Sequence, residues 1–256
     1  MQQPPTSTSE QTIQAILDRA HRPAVPIRRS FVQVEQVEID GRRPPLATMV
    51  RHRDERALDF YLLILAQASG GNYDVAHAAN VWVRALDLPG KNPTSAVSKV
   101  LGRLVDYSLV TRDRRGRRAH ITLLCEDSSG APYTHPGTAN ARYLKLPHTY
   151  WTAGWYRSLS LSAKAALLIA CSLPSPFFAL LEHAPKQFGI SADTLGDGLH
   201  ELETCRLLDR WPHYKPAPLT AAGYTMEYRY RLLPPFEKAA HPRPSSAVAA
   251  SPSSVI

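Results

Sequence analysis

Two stretches of this chain align without a gap at an offset of 98 residues, and that internal repeat limits the fold more than any other feature. Val97, Leu101 and Leu104 match Leu195, Leu199 and Leu202. Their spacing of four then three puts each trio on one face of an amphipathic helix. Leu109 and Val110 match Leu207 and Leu208, and Arg112 matches Arg210. Upstream, each copy opens with an apolar helix, expected over 56–68 and 162–173, followed by a shorter helix, expected over 75–86 and 180–188. The aligned helix comes third, and a short strand and hairpin follow it. Asn92-Pro93-Thr94 in the first copy and Ser191 in the second are start signals for that third helix.

The copies are separated by a Pro-, Gly- and Thr-rich stretch around 130–140. This places a linker at 130–142 between a first domain, 31–129, and a second domain, 143–236. Residues 1–30 read as a flexible N-terminal segment, and the Ala/Ser/Pro-rich residues 237–256 as a disordered tail. Val32 and Val34, then Val37 and Ile39, suggest short strands ahead of the first repeat. The aromatic group Tyr150, Trp151, Trp155 and Tyr156 is expected to anchor the linker across the second domain. Its other use would be stacking on unpaired bases.

The run Lys186-Gln187-Phe188-Gly189-Ile190-Ser191-Ala192-Asp193-Thr194-Leu195 resembles the turn of a helix-turn-helix. Gly189 would take a positive φ, Ile190 would plug the core and Ser191 would cap the third helix. The continuation Leu199-His200-Glu201-Leu202, then Leu207-Leu208-Asp209-Arg210, is similar to the helix-to-wing passage of bacterial winged-helix regulators. The first copy departs from the pattern, with the longer turn Leu88-Pro89-Gly90-Lys91-Asn92-Pro93. The resemblance spans residues 55–125 and 160–233. It implies a mainly α protein with small β-hairpin wings (α+β), built from two winged helix-turn-helix domains that bind double-stranded DNA. Tandem winged helices also resemble plasmid or phage-type replication initiators.

Charge is where the copies part. The whole chain carries 30 Lys/Arg against 22 Asp/Glu, a net +8 that favours an anionic partner. Residues 84–118 hold nine basic and three acidic side chains, a net +6, whereas 186–210 hold three and five, a net −2. The segment 111–118 packs five arginines and one aspartate into eight residues. Strand-forming residues flank it, and Gly116 is placed to make the turn. Guanidinium groups crowded on one hairpin repel one another, and a phosphate backbone relieves that repulsion.

The third helix of the first copy, 94–106, is expected to present Ser95, Lys99, Gly102 and Arg103 outward, with Ser98 at the side. Lys91, Thr94, Ser95, Ser98, Lys99 and Arg103, together with Arg112, Arg114, Arg115, Arg117 and Arg118 of the wing, form the candidate DNA-binding set. At the same offset the second copy has Asp193 for Ser95, Asp197 for Lys99, His200 for Gly102 and Glu201 for Arg103. Carboxylates meet phosphate with the wrong sign. These four residues are therefore the candidate protein interface, for a homodimer or another partner. The alternative is that the second copy touches DNA through its own wing, 212–223, where Lys215 is the firm cation. The pairs Arg28-Arg29 and Arg42-Arg43, with Arg51-His52-Arg53, could form an arm along the duplex or a solvated surface.

Catalysis finds no support. Pro89-Gly90-Lys91 fails the phosphate-loop pattern, because Ala85 stands where glycine is needed and Asn92 where Ser or Thr is needed. HExxH, His-x-His and Gly-x-Ser-x-Gly do not occur. Cys125, Cys171 and Cys205 are odd in number and never in a CxxC arrangement, which suggests neither a disulfide framework nor zinc and fits a reducing compartment. The polar, Pro-rich start reads as no signal peptide, and no apolar run approaches the ~20 residues of a membrane span. The expectation is a cytoplasmic, nucleoid-associated protein that is not an enzyme and has no cofactor or metal. A sequence-specific transcriptional regulator comes first, a replication or plasmid-maintenance initiator second, and a protein-docking adaptor third.

Overall fold

The computed structural model describes residues 6–34, 43–68, 71–115, 118–139, 141–178 and 181–238, with the backbone alone for Arg114 and Arg115. Helix α1 (Ser9–Leu17) starts in a capping box. The Thr8 side chain accepts from the Gln11 N–H, and Gln11 Oε1 accepts from the Thr8 N–H at 2.9 Å. Ile13, Ile16 and Leu17 bury its inner face. Strand β1 (Ala24–Arg28) and a 3₁₀ turn (Arg29–Phe31) follow. The expectation of a flexible segment over 1–30 is therefore corrected from Thr8 onward. The signal was Thr8-x-x-Gln11 ahead of apolar residues at helical spacing. Val32 and Val34 lie in no strand, while Val37 and Ile39 fall outside the described residues.

The first repeat runs through α2 (Pro45–Arg51), α3 (Glu55–Gln67), β2 (Asp74–His77), α4 (Ala79–Ala85), α5 (Pro93–Asp106), β3 (Val110–Arg115) and β4 (Arg118–Leu123). The helix expected over 75–86 is divided. Its first turn becomes β2, which pairs antiparallel with β4 and sets Val75 against Ile121, both buried. The ladder overrides local helix propensity here because β4 is paired on both sides.

The second repeat comprises β5 (Tyr143–Pro147), α6 (Thr149–Thr152), α7 (Trp155–Ser158), α8 (Leu161–Ser172), β6 (Phe177–Phe178), α9 (Ala184–Gln187), α10 (Ala192–Thr204), β7 (Leu208–Pro216) and β8 (Tyr224–Leu232). The architecture is mixed α and β, with small antiparallel sheets in the orders β1-β5, β2-β4-β3 and β6-β8-β7. The last two share one plan: helix, strand, two helices and a hairpin whose returning strand sits in the middle.

Details at the offset of 98 make the repeat physical. Helices α5 and α10 end alike, with Ser108 at φ 55° and Arg206 at φ 58°. The next amide in each case reaches back, Leu109 to the Leu104 carbonyl at 3.1 Å and Leu207 to Leu202 at 2.9 Å. This is the Schellman closure, achieved without glycine. Gly189 takes φ 72°, Ile190 is buried and the Ser191 side chain accepts from the Thr194 N–H, so the turn before α10 has the geometry its residues imply. Asn92 occupies the equivalent position before α5 but makes no side-chain cap, and Pro93 takes over at the first helical position. Gly198 is required by packing: a Cβ there would lie 2.3 Å from the Ser162 carbonyl oxygen on α8.

Helices α3 and α8 are apolar on nearly all sides and buried accordingly. The two repeats share one continuous core. β1, which precedes the first repeat, pairs with β5, which opens the second. Lys164 of α8 is 1% exposed and bonds Asp59 Oδ2 at 2.8 Å and Glu55 Oε1 at 2.7 Å on α3. Burial pushes the Asp59 carboxyl up to about 6, against the pull of Lys164. The stretch expected as a linker packs on the first repeat. Tyr133 is buried against Tyr73, and Thr134 accepts from Arg28 at 2.7 Å through both its carbonyl and its hydroxyl. The aromatic group around Tyr150 also spans both repeats rather than the second alone: α6 touches α1, and the Tyr150 hydroxyl donates to Asp59. Among the described residues, no helix is long and apolar enough to cross a membrane.

Candidate nucleic-acid interface

Helix α5 buries Val97, Val100, Leu101 and Leu104 and leaves Thr94, Ser95, Ser98 and Lys99 exposed, with Lys91 exposed just before it. The β3–β4 hairpin rises beside it. Val110, Leu123 and Ile121 form the buried face of that hairpin, and Arg112, in register with Ile121, continues it outward. Between helix and hairpin lies a groove of about 550 Å³, lined by Thr94, Ser95, Ser98, Arg112 and Asp113, with the fully buried Trp82 beneath. Arg112 Nη2 donates to Ser98 Oγ at 3.5 Å and ties the two elements together.

Arg112 and Arg118 are exposed, and neither forms an ion pair with a described residue. Arg114 and Arg115 hold register positions opposite Ala119 and Arg118. Gly116 and Arg117, expected at the turn, lie outside the described residues. His77 also lines the groove and pairs with Gln67 Oε1 at 2.8 Å. Burial, then Arg19 and Arg118, hold it below the usual histidine range, so it adds no charge at neutral pH. His120, opposite Asp113 in the hairpin register, is turned to Asp74 on β2.

Arg103 is the correction within the expected set. It does not point into the groove. Its Nε and Nη2 grip Asp54 Oδ2 at 2.5 Å and Oδ1 at 2.8 Å, and the Tyr107 hydroxyl donates to the same carboxylate at 3.2 Å. Asp54 is the N-cap of α3. The hydrogen bond to Asp54 and that charge raise Arg103, while burial and Asp54 push Tyr107 up to about 12. Arg103 thus clasps the end of α5 to the start of α3.

The second repeat holds the same clasp with other chemistry. Glu201 stands where Arg103 does, and Ser160, the N-cap of α8, stands where Asp54 does. The Ser160 N–H donates to Glu201 Oε1 at 2.8 Å, and its hydroxyl to Oε2 at 2.5 Å. Glu201 is therefore spent inside the molecule, whereas Asp193, Asp197 and His200 remain exposed. Lys215, the cation expected to serve the second wing, is paired with Glu227 at 2.7 Å.

Of the upstream basic pairs, Arg28 is buried on Glu126 and cannot lie along a duplex. Arg29 bonds Gln33 at 2.6 Å. Arg43, Arg51 and Arg53 are exposed, and Arg42 falls outside the described residues. Asp54 went unread in the sequence, although an Asp just ahead of an apolar helical run is a cap signal. Its partner 49 residues away was not legible, since nothing local marks it. Among the described residues no cluster of His, Cys, Asp or Glu could hold a metal ion.

No protein-family model, no curated protein and no solved structure matches the chain.

Proposed function

We propose that this chain is a sequence-specific double-stranded DNA-binding protein, a transcriptional regulator by preference, whose repeats are winged helix-turn-helix units. In the first unit α5 enters the major groove. Ser95, Ser98 and Lys99 lie nearest the bases, and Lys91 and Thr94 lie at the helix start. The β3–β4 hairpin is the wing, and its arginines hold the flanking backbone or minor groove. Phosphate contacts position the protein, and the exposed helix face supplies the sequence information.

The observation that carries this reading is the groove between α5 and the hairpin. Short hydroxyl side chains form one wall, and an arginine without a carboxylate partner among the described residues forms the other. Arg112 and Arg118 would give up water and counter-repulsion, not an existing ion pair, on meeting phosphate. The shared core and the β1–β5 pairing fit a unit presented rigidly by the rest of the chain.

Selection of bound sequences from a random duplex library by the full chain, near physiological salt, tests the proposal. Recovery of one enriched motif supports it. Binding without enrichment leaves only a charge clamp, and absence of binding overturns the reading.

A further inference from the structure

The β7–β8 hairpin runs for nine residues on each strand, well beyond the core that holds its base. Register pairs Leu208 with Leu232 and Arg210 with Tyr230 near the core. It then pairs Pro212 with Tyr228, Tyr214 with Met226 and Pro216 with Tyr224 on the same face. Tyr214, Tyr224, Met226 and Tyr228 are 41% to 59% exposed, and Leu219 at the tip is fully exposed. These five make up most of the exposed large apolar side chains among the described residues. An apolar face of this kind on one projecting element marks an interaction surface.

Its charge does not suit DNA. The cations of the opposite face are already paired: Lys215 and Arg229 share Glu227 at 2.7 and 2.8 Å, and Arg231 holds Asp209 at 3.0 Å. Tyr214 and Tyr224 already pack edge-on, at 78° between ring planes, so they do not offer parallel platforms for successive bases.

The strand edges differ from each other. β7 carries Pro212 and Pro216, which remove two amide donors and spoil that edge for regular pairing. Among the described residues β6 pairs with β8 only at Tyr230 and Arg229, so no described strand lies along Tyr224–Tyr228 on that side. This edge contains no proline and a single ionised residue, Glu227.

We infer that β8 is a homodimer interface, in which two copies of this chain pair Tyr224–Tyr228 antiparallel about a two-fold axis at Met226. In that register Tyr224 of one copy faces Tyr228 of the other, and Glu227 faces the Thr225 hydroxyl rather than a second Glu227. Glu227 also comes two strands from Lys215 of the opposite copy. A two-fold axis at Glu227 would instead set like charges together, which disfavours it. The contact is isologous and closes at two copies. Strand addition covers the β8 edge and the inner sides of Tyr224, Met226 and Tyr228, a contact of five residues from each copy. So small a contact falls below the ~1,200 Å² of stable interfaces and belongs to the transient class. Dimerisation is therefore weak and concentration-dependent, and a DNA carrying two half-sites strengthens it. The inference does not depend on DNA binding and relocates the partner surface from Asp193, Asp197 and His200 to β8.

Sedimentation equilibrium of the full chain without DNA tests it, alongside Met226→Lys and Met226→Glu. Both changes fall on an exposed position, and circular dichroism verifies that the fold is kept. The wild-type weight-average mass rises from monomer towards dimer as concentration is raised, as a small interface requires. Each variant alone stays monomeric, because the two-fold sets like charges face to face, and an equimolar mixture of the two recovers the dimer. A wild type that remains monomeric throughout, a dimer that persists in either variant, or a mixture that fails to associate overturns the proposal.

Discussion

In the first hairpin Arg112 and Arg118 meet no described carboxylate. In the second, Lys215 and Arg229 share Glu227, Arg231 holds Asp209 and Arg210 reaches Glu203 at 3.3 Å. The two hairpins have the same strand order and the same register logic, yet Arg112 and Arg118 of the first meet no described carboxylate whereas the second pairs its cations. Counting basic residues in each does not separate these cases; partners do. The third helices teach the same lesson from the other side. Ser95 against Asp193 and Lys99 against Asp197 differ on exposed positions, and there the contrast in sign bears on what approaches. Arg103 against Glu201 differs just as sharply in sign, but both residues hold the N-cap of their own first helix. Opposite charges perform one structural task because the caps, Asp54 and Ser160, changed with them.

The largest effect on this comparison is expected from the helix packing beneath it. Gly198→Ala sets a Cβ against the Ser162 carbonyl and Ala166, which costs about 3 kcal/mol or more by overpacking. Gly102→Ala on α5 meets nothing within 4 Å and gains up to about 1 kcal/mol of helix propensity. Urea unfolding of the two variants checks both signs.

Next comes the clasp. Arg103→Ala leaves Asp54, which is 7% exposed, without its cation. Because Arg103 is itself 39% exposed, the loss is discounted to about 1–2 kcal/mol. The salt dependence of DNA binding should keep its slope in this variant, since Arg103 touches no phosphate in this account. A slope flattened by about one unit would return Arg103 to the interface.

The Asp59–Lys164 contact between the repeats predicts a pH effect of definite sign. Burial raises Asp59 to about 6, above its ordinary 3.8, so the folded state holds a proton that the unfolded state has lost between those values. The contribution of this group to stability therefore falls as pH rises from about 4 to about 6. Asp59→Asn removes that slope, so its stability relative to wild type should improve between pH 4.5 and pH 7. Denaturant midpoints at the two pH values decide it. A relative loss at the higher pH would mean that Lys164 outweighs burial.

The smallest effect is expected from Asp197→Lys. It should leave duplex affinity unchanged or raise it slightly, as read by fluorescence anisotropy. A sharp fall would show that the acidic helix reads bases.

Much of this arrangement was legible in the chain. The 98-residue repeat, the two third helices, Ile190 in the core and the Ser191 cap follow from spacing and cap chemistry. The exposure of Ser95, Ser98 and Lys99 follows from the burial of Val97, Leu101 and Leu104 on the other face. What escaped depends on residues far apart in sequence. β2 exists because β4 accepts a second neighbour, Arg28 is buried because Glu126 lies opposite, and Arg103 is turned by Asp54. The apolar face of the second hairpin escaped for a local reason. Its alternation of Tyr214 and Pro212 with His213 and Lys215 reads as an ordinary strand until the register shows which residues share a side.

The most direct test of the central claim is the duplex affinity of the full chain as a function of salt, for wild type and for a variant with Arg112, Arg114, Arg115, Arg117 and Arg118 all changed to Ala. A steep wild-type log–log slope is expected, of which the variant loses up to about 4–5 units, at roughly 0.9 per phosphate contact. A wild-type affinity indifferent to salt, or a slope the five changes leave intact, would contradict it.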